Sequence, residues 1–176
     1  VLSDSTKVAN PKFLSKLQHK LAREQKILAK RRAVAKANQR KLSDSRNYQK
    51  QKLKVAKVYE RITNCRKDFL HKLSFTLIKN HDVIAVEDLN VKGMVKNRKL
   101  SKAISDSSWS TFTTMLNYKA EWYGKALIKV DRWYPSSKTC SGCGHLLTKA
   151  ELPLQVRSWN CPSCQQKHDR DINASI

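Results

Sequence analysis

Cys140, Cys143, Cys161 and Cys164 are the residues whose spacing speaks most directly of chemistry. The pattern C-x2-C-x17-C-x2-C is the spacing of a four-thiolate zinc ribbon, in which two knuckles meet around one tetrahedral ion. Gly144 follows the first pair, where a tight turn brings backbone N–H groups toward the sulfurs. Gln165 stands at the equivalent place in the second knuckle, where a side chain is less comfortable. Two matched pairs argue against a redox-active C-x-x-C, and four well-spaced cysteines make His145 and His168 unnecessary as ligands. Four thiolates leave no open coordination position, so the expected ion is structural. Trp159 is expected to lie beneath it.

In so basic a chain, two acidic spots stand out: Glu87 with Asp88, and Asp169 with Asp171. Each has a dull explanation. Glu87 could be a solvated strand end, and Asp171 an N-cap for the short segment "INAS". Neighbouring strand residues point to opposite faces, so only one of Glu87 and Asp88 can face a shared site. Separated carboxylates on strand ends beneath a basic surface are, however, how a two-metal phosphodiesterase is built. Hard Mg2+ ions take oxygen ligands, activate a water and steady a leaving oxygen.

The elements that must position these residues follow from periodicity. Phe13, Leu17, Leu21 and Leu28 predict an amphipathic helix over residues 12–42. After the break "LSDSRN", Val55, Val58, Ile62, Cys65, Phe69, Leu73 and Leu77 predict a second, with the lone Cys65 as a core thiol. Residues 1–10 read as two short strand ends about a turn at "SDST", Val83–Val86 as a buried strand, and "ALIKVDRWY" as another. Trp109, Phe112, Leu116, Ala120 and Tyr123 make one helical face, with Asp106, Ser107 or Ser108 as N-cap and Gly124 as stop. The element order suggests an α/β layer with a mixed sheet.

Charge sets the partner class. The 176 residues hold 36 Lys and Arg against 14 Asp and Glu, a formal +22. Residues 1–82 alone hold 22 Lys and Arg against 6 Asp and Glu, or +16 of that total. A field of that sign concentrates polyanions, and nucleic acid is the expected partner. Lys20, Arg23, Lys30, Arg31, Arg32 and Arg40 are the expected nucleic-acid contacts. A solvated helix hairpin would need more Glu for i,i+4 pairing. No run is long and apolar enough to span a bilayer, and no signal peptide is visible, so a prokaryotic cytoplasmic address without a membrane partner is expected. The chain begins with Val1, not Met, and is expected to be a piece of something longer.

"VEDLNVKGM", "YKAEWYGKALIKVDRWYPSSKTCSGCG", "WNCPSC" and "DRDINAS" closely resemble the TnpB (OrfB) proteins of bacterial insertion sequences, relatives of the compact CRISPR nucleases. The resemblance implies an RNase H-like (RuvC) mixed sheet with a long basic helical hairpin at 12–80 and an inserted four-cysteine zinc ribbon. It divides the chain into an incomplete RuvC-like domain at 1–135, the ribbon at 136–167 and the last RuvC motif at 168–176. It implies RNA-guided cleavage of DNA, with guide RNA and DNA as partners and Mg or Mn beside structural Zn. Carried over by motif, Glu87 and Asp171 are metal-binding catalytic acids, Asp88 is supporting, and Asn173 braces the last motif. The family's first catalytic Asp, in a G-x-D-x-G-like strand, has no counterpart here, and Asp4 falls at a turn instead. The expectation is therefore a nucleic-acid-binding derivative of such a nuclease, lacking one or more N-terminal strands and cutting poorly or not at all. A non-catalytic DNA- or RNA-binding zinc-ribbon protein is the alternative. A zinc-containing RNA-binding protein of ribosomal style fits the charge and zinc but gives no reason for Glu87 or Asp171.

Overall fold

The computed structural model describes residues 1–176 as a mixed helix and strand protein of two compact units. The larger is Pro11–Lys129; the smaller joins Val1–Asn10 to Val130–Ile176. In chain order the elements are α1 (Phe13–Ala37), α2 (Arg46–Asn80), β1 (Val83–Glu87), α3 (Val91–Val95), α4 (Ser101–Ser107), α5 (Trp109–Trp122), β2 (Ala126–Val130), β3 (Ser158–Asn160), β4 (Lys167–Asp169) and α6 (Arg170–Asn173).

In the larger unit the leucine stripe of α1 meets the β-branched stripe of α2. Leu21, Val55, Val58 and Ile62 are buried together, with Phe13, Leu14, Leu17 and Leu28 against them. Each side chain so buried contributes roughly 1.5–3 kcal/mol. Phe13 meets Phe69 edge-on at 6.2 Å, while Arg31 reaches the Asn47 carbonyl at 2.7 Å, so the two helices run antiparallel. Helix α1 stops short of the expected residue 42. Gln39 adopts the left-handed conformation (φ 51°), and the Gln39 and Arg40 amides bond back to the Lys36 and Ala35 carbonyls, the closing pattern of a Schellman turn. The expected stop at Gly124 is of the same kind: φ is 61°, and the Gly124 and Lys125 amides return to Glu121 and Ala120.

Asp106 is not a helix cap. It lies inside α4, buried, where it accepts Arg66 Nη2 at 2.7 Å and the Leu14 amide at 3.3 Å, tying α4 to both long helices. Helix α5 buries Phe112, Met115, Leu116, Lys119 and Ala120. The Lys119 ammonium donates to the His71 carbonyl of α2 at 2.7 Å and to Ser74 Oγ at 2.8 Å, and burial pulls its pKa down.

β1 and β2 form a two-stranded sheet. The run Val83–Val86 was expected to be buried on both faces, but its residues alternate between exposed and half-buried, Val83 being 58% exposed. Residues 1–10 form no strand; the Ser5 amide bonds the Leu2 carbonyl and the Leu2 amide bonds the Thr6 carbonyl, closing a bare turn. The smaller unit is built on β3 and β4, antiparallel with Trp159 opposite His168, and on an isolated bridge between Thr139 and Leu146. Its core is Cys140, Leu147, Leu152, Trp159 and Cys161, with Val156 against it. No helix is long and apolar enough to cross a membrane.

Candidate metal centre and nucleic-acid interface

The two cysteine knuckles are built alike. In the first, the Cys140 amide bonds the His145 carbonyl and the Gly144 amide bonds the Cys140 carbonyl, each at 2.8 Å. In the second, the Cys161 amide bonds the Gln166 carbonyl at 2.9 Å and the Gln165 amide bonds the Cys161 carbonyl at 2.8 Å. The turn needs a left-handed residue at its fifth place, just after the second cysteine. Gly144 supplies it at φ 75°; Gln165 is held at φ 61° despite its Cβ, as the sequence led one to expect.

These turns bring all four sulfurs within 4.8 Å of one another. Cys140 Sγ lies 3.7 Å from Cys164 Sγ, and Cys143 Sγ 3.6 Å from Cys161 Sγ. A tetrahedral ion with metal–sulfur bonds near 2.3 Å sets its sulfurs about 3.8 Å apart, so the donor set fits one metal ion. Cys140 and Cys161 are buried; Cys143 and Cys164 are exposed. The His145 amide, helped by neighbouring thiols, brings Cys143 down to about 7. Cys164 goes the other way: although the Gln166 amide favours its thiolate, partial desolvation and the thiols around it push it up to about 12.

The segment after the second knuckle is fastened to the first. His168, 6% exposed, stacks on Trp159 at 4.6 Å between ring centres and places Nε2 3.1 Å from Cys140 Sγ. Arg170, also buried, donates Nη1 to the Pro153 carbonyl at 2.7 Å. Asp169, not Asp171, is the cap of α6: its Oδ1 accepts the Asp171 and Ile172 amides at 3.0 and 3.1 Å, and those bonds, the Ile172 one foremost, hold its carboxyl below the usual range. Asp171 itself is exposed in the first turn, 3.8 Å from Arg157 Nη1. Asn173 is buried. Its Nδ2 donates to the Thr139 carbonyl at 2.7 Å and to the Ser136 carbonyl at 3.3 Å, and its Oδ1 accepts the Ser141 amide at 2.9 Å.

Glu87 belongs to the larger unit and Asp171 to the smaller. Glu87 closes β1 on the exposed face that Val83 and Ala85 share, and Asp88, half-buried, lies just past the strand.

Between α1 and α2 lies an open cleft of about 470 Å3 with Leu17 and Val58 in its lining and Lys20, Arg23, Lys54, Lys57 and Arg61 around them. Of the expected nucleic-acid contacts, Lys20 and Arg23 line it; Lys30, Arg31, Arg32 and Arg40 do not. Lys54, Lys57 and Arg61, which also line it, were not among the expected contacts. Their i, i+3, i+7 spacing was a legible signal of one face, but the phase of that face against α1 was not. The one acid in the cleft, Glu24, accepts Gln51 Nε2 at 2.7 Å and Arg23 Nη2 at 3.3 Å; Gln51 first, then Arg23, hold its carboxyl below the ordinary value.

A family profile described as "Probable transposase" matches residues 1–98, and one described as "Cas12f1-like, TNB domain" matches residues 109–176. The chain belongs to the TnpB (OrfB) family of insertion-sequence transposase-type proteins. It is 43% identical over 174 residues to the "Putative RNA-guided DNA endonuclease" of Streptomyces pristinaespiralis, covering 99% of this chain and 40% of that protein. It is 32% identical over 189 residues to the "Putative RNA-guided DNA endonuclease InsQ" of Escherichia coli K12, covering 99% and 44%. A mimivirus relative named "TnpB-like protein L79" is 30% identical over 127 residues, covering 69% and 24%. The chain thus spans less than half the length of these relatives. A solved Cas12f1–sgRNA–target DNA complex is similar with a TM-score of 0.49 at 18% identity, over 89% of this chain and 40% of that one.

Proposed function

We propose that this chain is a nucleic-acid-binding portion of a transposon-encoded, RNA-guided, metal-dependent DNA endonuclease of RuvC type. The observation that carries the binding half is the cleft between α1 and α2, where five cations from two helices face one open channel. Antiparallel helices with cations every three or four residues repeat charge about every 4.5–6 Å along the channel. That spacing suits successive phosphates of a nucleic-acid backbone. All five cations are exposed, so a polyanion can replace their counterions at little desolvation cost.

In this reading the four thiolates hold Zn2+, and closed thiolate coordination gives it a folding role. Glu87 and Asp171 are each carboxylate ligands for Mg2+ or Mn2+, with Asp88 and Asn173 supporting them. Such ions supply a water made nucleophilic and charge neutralisation at a scissile phosphate. DNA and a guide RNA are the partners, by analogy with the relatives named as RNA-guided DNA endonucleases.

Binding and cutting are tested apart. A salt titration of binding to labelled single-stranded DNA, duplex DNA and RNA should give a linear log K against log salt, and Lys54→Ala with Arg61→Ala should lower the slope by about 2. An unchanged slope refutes the cleft as the binding surface. Cleavage in Mn2+ is then compared for this chain, the same chain extended upstream to include a G-x-D-x-G strand, and Glu87→Ala or Asp171→Ala in each. Cleavage that survives loss of either acid refutes the metal roles. If every form binds and none cuts, the non-catalytic binding reading replaces the nuclease.

A further inference from the structure

We infer that His168 and Asn173 are positioning residues that clamp the Asp171 turn to the metal knuckle, so that the order of that turn depends on the metal. The inference rests on reading the four thiols as a metal centre, not on any catalytic role for Asp171.

Helix α6 has four residues, Arg170–Asn173, too few to stand alone. Its order comes from what grips it. Three consecutive residues of the first knuckle are held from this segment. Asn173 takes the residues on either side of Cys140, accepting the Ser141 amide at 2.9 Å and donating to the Thr139 carbonyl at 2.7 Å. His168 takes Cys140 itself, Nε2 to Sγ at 3.1 Å, short for a contact between a ring nitrogen and sulfur. Asp171 lies between the two clamps in sequence.

The chemistry sets the direction of the His168 contact. A metal-bound thiolate can only accept, so Nε2 carries the proton and donates. Such an outer contact drains negative charge from the sulfur, orients it, and is worth about 10–100-fold in metal affinity. Asn173 has its two N–H donors and its oxygen engaged on backbone groups of residues 136–141, and it is 4% exposed. Without the ion nothing ties together the four sulfurs that lie within 4.8 Å of one another, the knuckle loosens, and both clamps lose their anchor. By linkage, cutting the clamps must weaken metal retention to the same degree that metal loss frees the turn.

The test uses the whole chain. Zinc stoichiometry comes first: other than one ion per chain, lost on replacing Cys143 and Cys164 together by Ser, overturns the metal centre itself. His168→Phe keeps a ring over Trp159 and removes only the donor. It should speed zinc transfer to a colorimetric chelator about 10–100-fold. It should also shift the sulfur-to-metal charge-transfer band of the Co2+-loaded protein, while the far-ultraviolet melt of the long helices stays where it was. His168→Gln, which restores an N–H, should recover part of both. In hydrogen exchange, the amides of residues 171–175 should be protected in the zinc-loaded chain and exposed after zinc is stripped. Asn173→Asp should expose them with zinc still bound. One zinc per chain with an unshifted band and unchanged release in His168→Phe overturns the inference, as does equal exchange of residues 171–175 with and without zinc. If Asn173→Asp does not fold, those two comparisons still decide it.

Discussion

Replacing Asp106 by alanine should destabilise the larger unit more than any surface change. Its carboxylate is 4% exposed and holds Arg66, 23% exposed, at 2.7 Å, together with the Leu14 amide at 3.3 Å. Removing it strips the partner from two donors, Arg66 Nη2 and the Leu14 amide, beside Arg66 Nε, which has no hydrogen-bond partner even in the intact protein. A buried charge stripped of its partner costs about 3–5 kcal/mol, reduced here toward 2–3 because the guanidinium keeps some contact with water. At roughly 4 °C per kcal/mol for a unit of this size, the melting temperature should fall by about 8–12 °C. The assay is a melt followed by circular dichroism at the helix band, with Asp106→Asn and the double change Asp106→Leu, Arg66→Met beside it. The asparagine keeps an acceptor for Leu14 and should cost less than the alanine. The double change removes both charges and should recover most of the loss. A drop of under about 2 °C for Asp106→Ala, or a double variant worse than the single, refutes the argument that this pair is what fastens α4 to the hairpin.

Three further predictions follow from other places in the chain. Glu24 has a carboxyl held below its ordinary value, so its stabilising effect is complete above the unfolded value near 4.5 and is lost as pH falls through the lower folded value. The gap in melting temperature between the parent and Glu24→Gln should therefore be widest near neutrality and close as the buffer is taken toward pH 3. Gln165 and Gln39 carry side chains at φ 61° and 51°, so Gln165→Gly and Gln39→Gly should each stabilise by about 0.5–1 kcal/mol, read as a later denaturant midpoint at unchanged slope. Stripping metal with a strong chelator should change tryptophan fluorescence through Trp159, which shares its core with Cys140 and Cys161, and leave the helix signal of α1 and α2 largely intact. Trp159→Phe should abolish most of that fluorescence change.

What could be read from sequence was whatever depends on neighbours in the chain. The apolar stripes of α1 and α2, the stop at Gly124, the two knuckles and the discomfort at Gln165 are all set by spacings of a few residues, and each is where the sequence placed it. What was not legible depends on partners far away. Asp106 has the look of a cap until Arg66, forty residues earlier, is seen to claim it. His168 was set aside as a ligand because four cysteines suffice, and its approach to Cys140 exists only once the β3–β4 register puts it opposite Trp159. Asn173 was expected to brace the last motif, but its partners Ser136, Thr139 and Ser141 lie more than thirty residues earlier, beyond the reach of local sequence. Residues 1–10 read as two short strand ends yet form no strand, because ladder pairing depends on a partner that local composition does not report. Lys54, Lys57 and Arg61 became one channel with Lys20 and Arg23 only through the phase of the helix hairpin.

The four sulfurs divide evenly, one buried and one exposed from each knuckle. An ion held there has a dry hemisphere and a wet one. Incoming ligands, whether a chelator's carboxylates, glutathione or another protein's thiols, can approach only from the wet side, where Cys143 and Cys164 are the sulfurs they displace first. Exchange would then proceed stepwise through a half-released ion still gripped by Cys140 and Cys161, and the fold would persist until the second pair let go. Oxidants meet the same asymmetry, so damage to this centre should start at the outer pair and reach the inner pair only after the metal has gone.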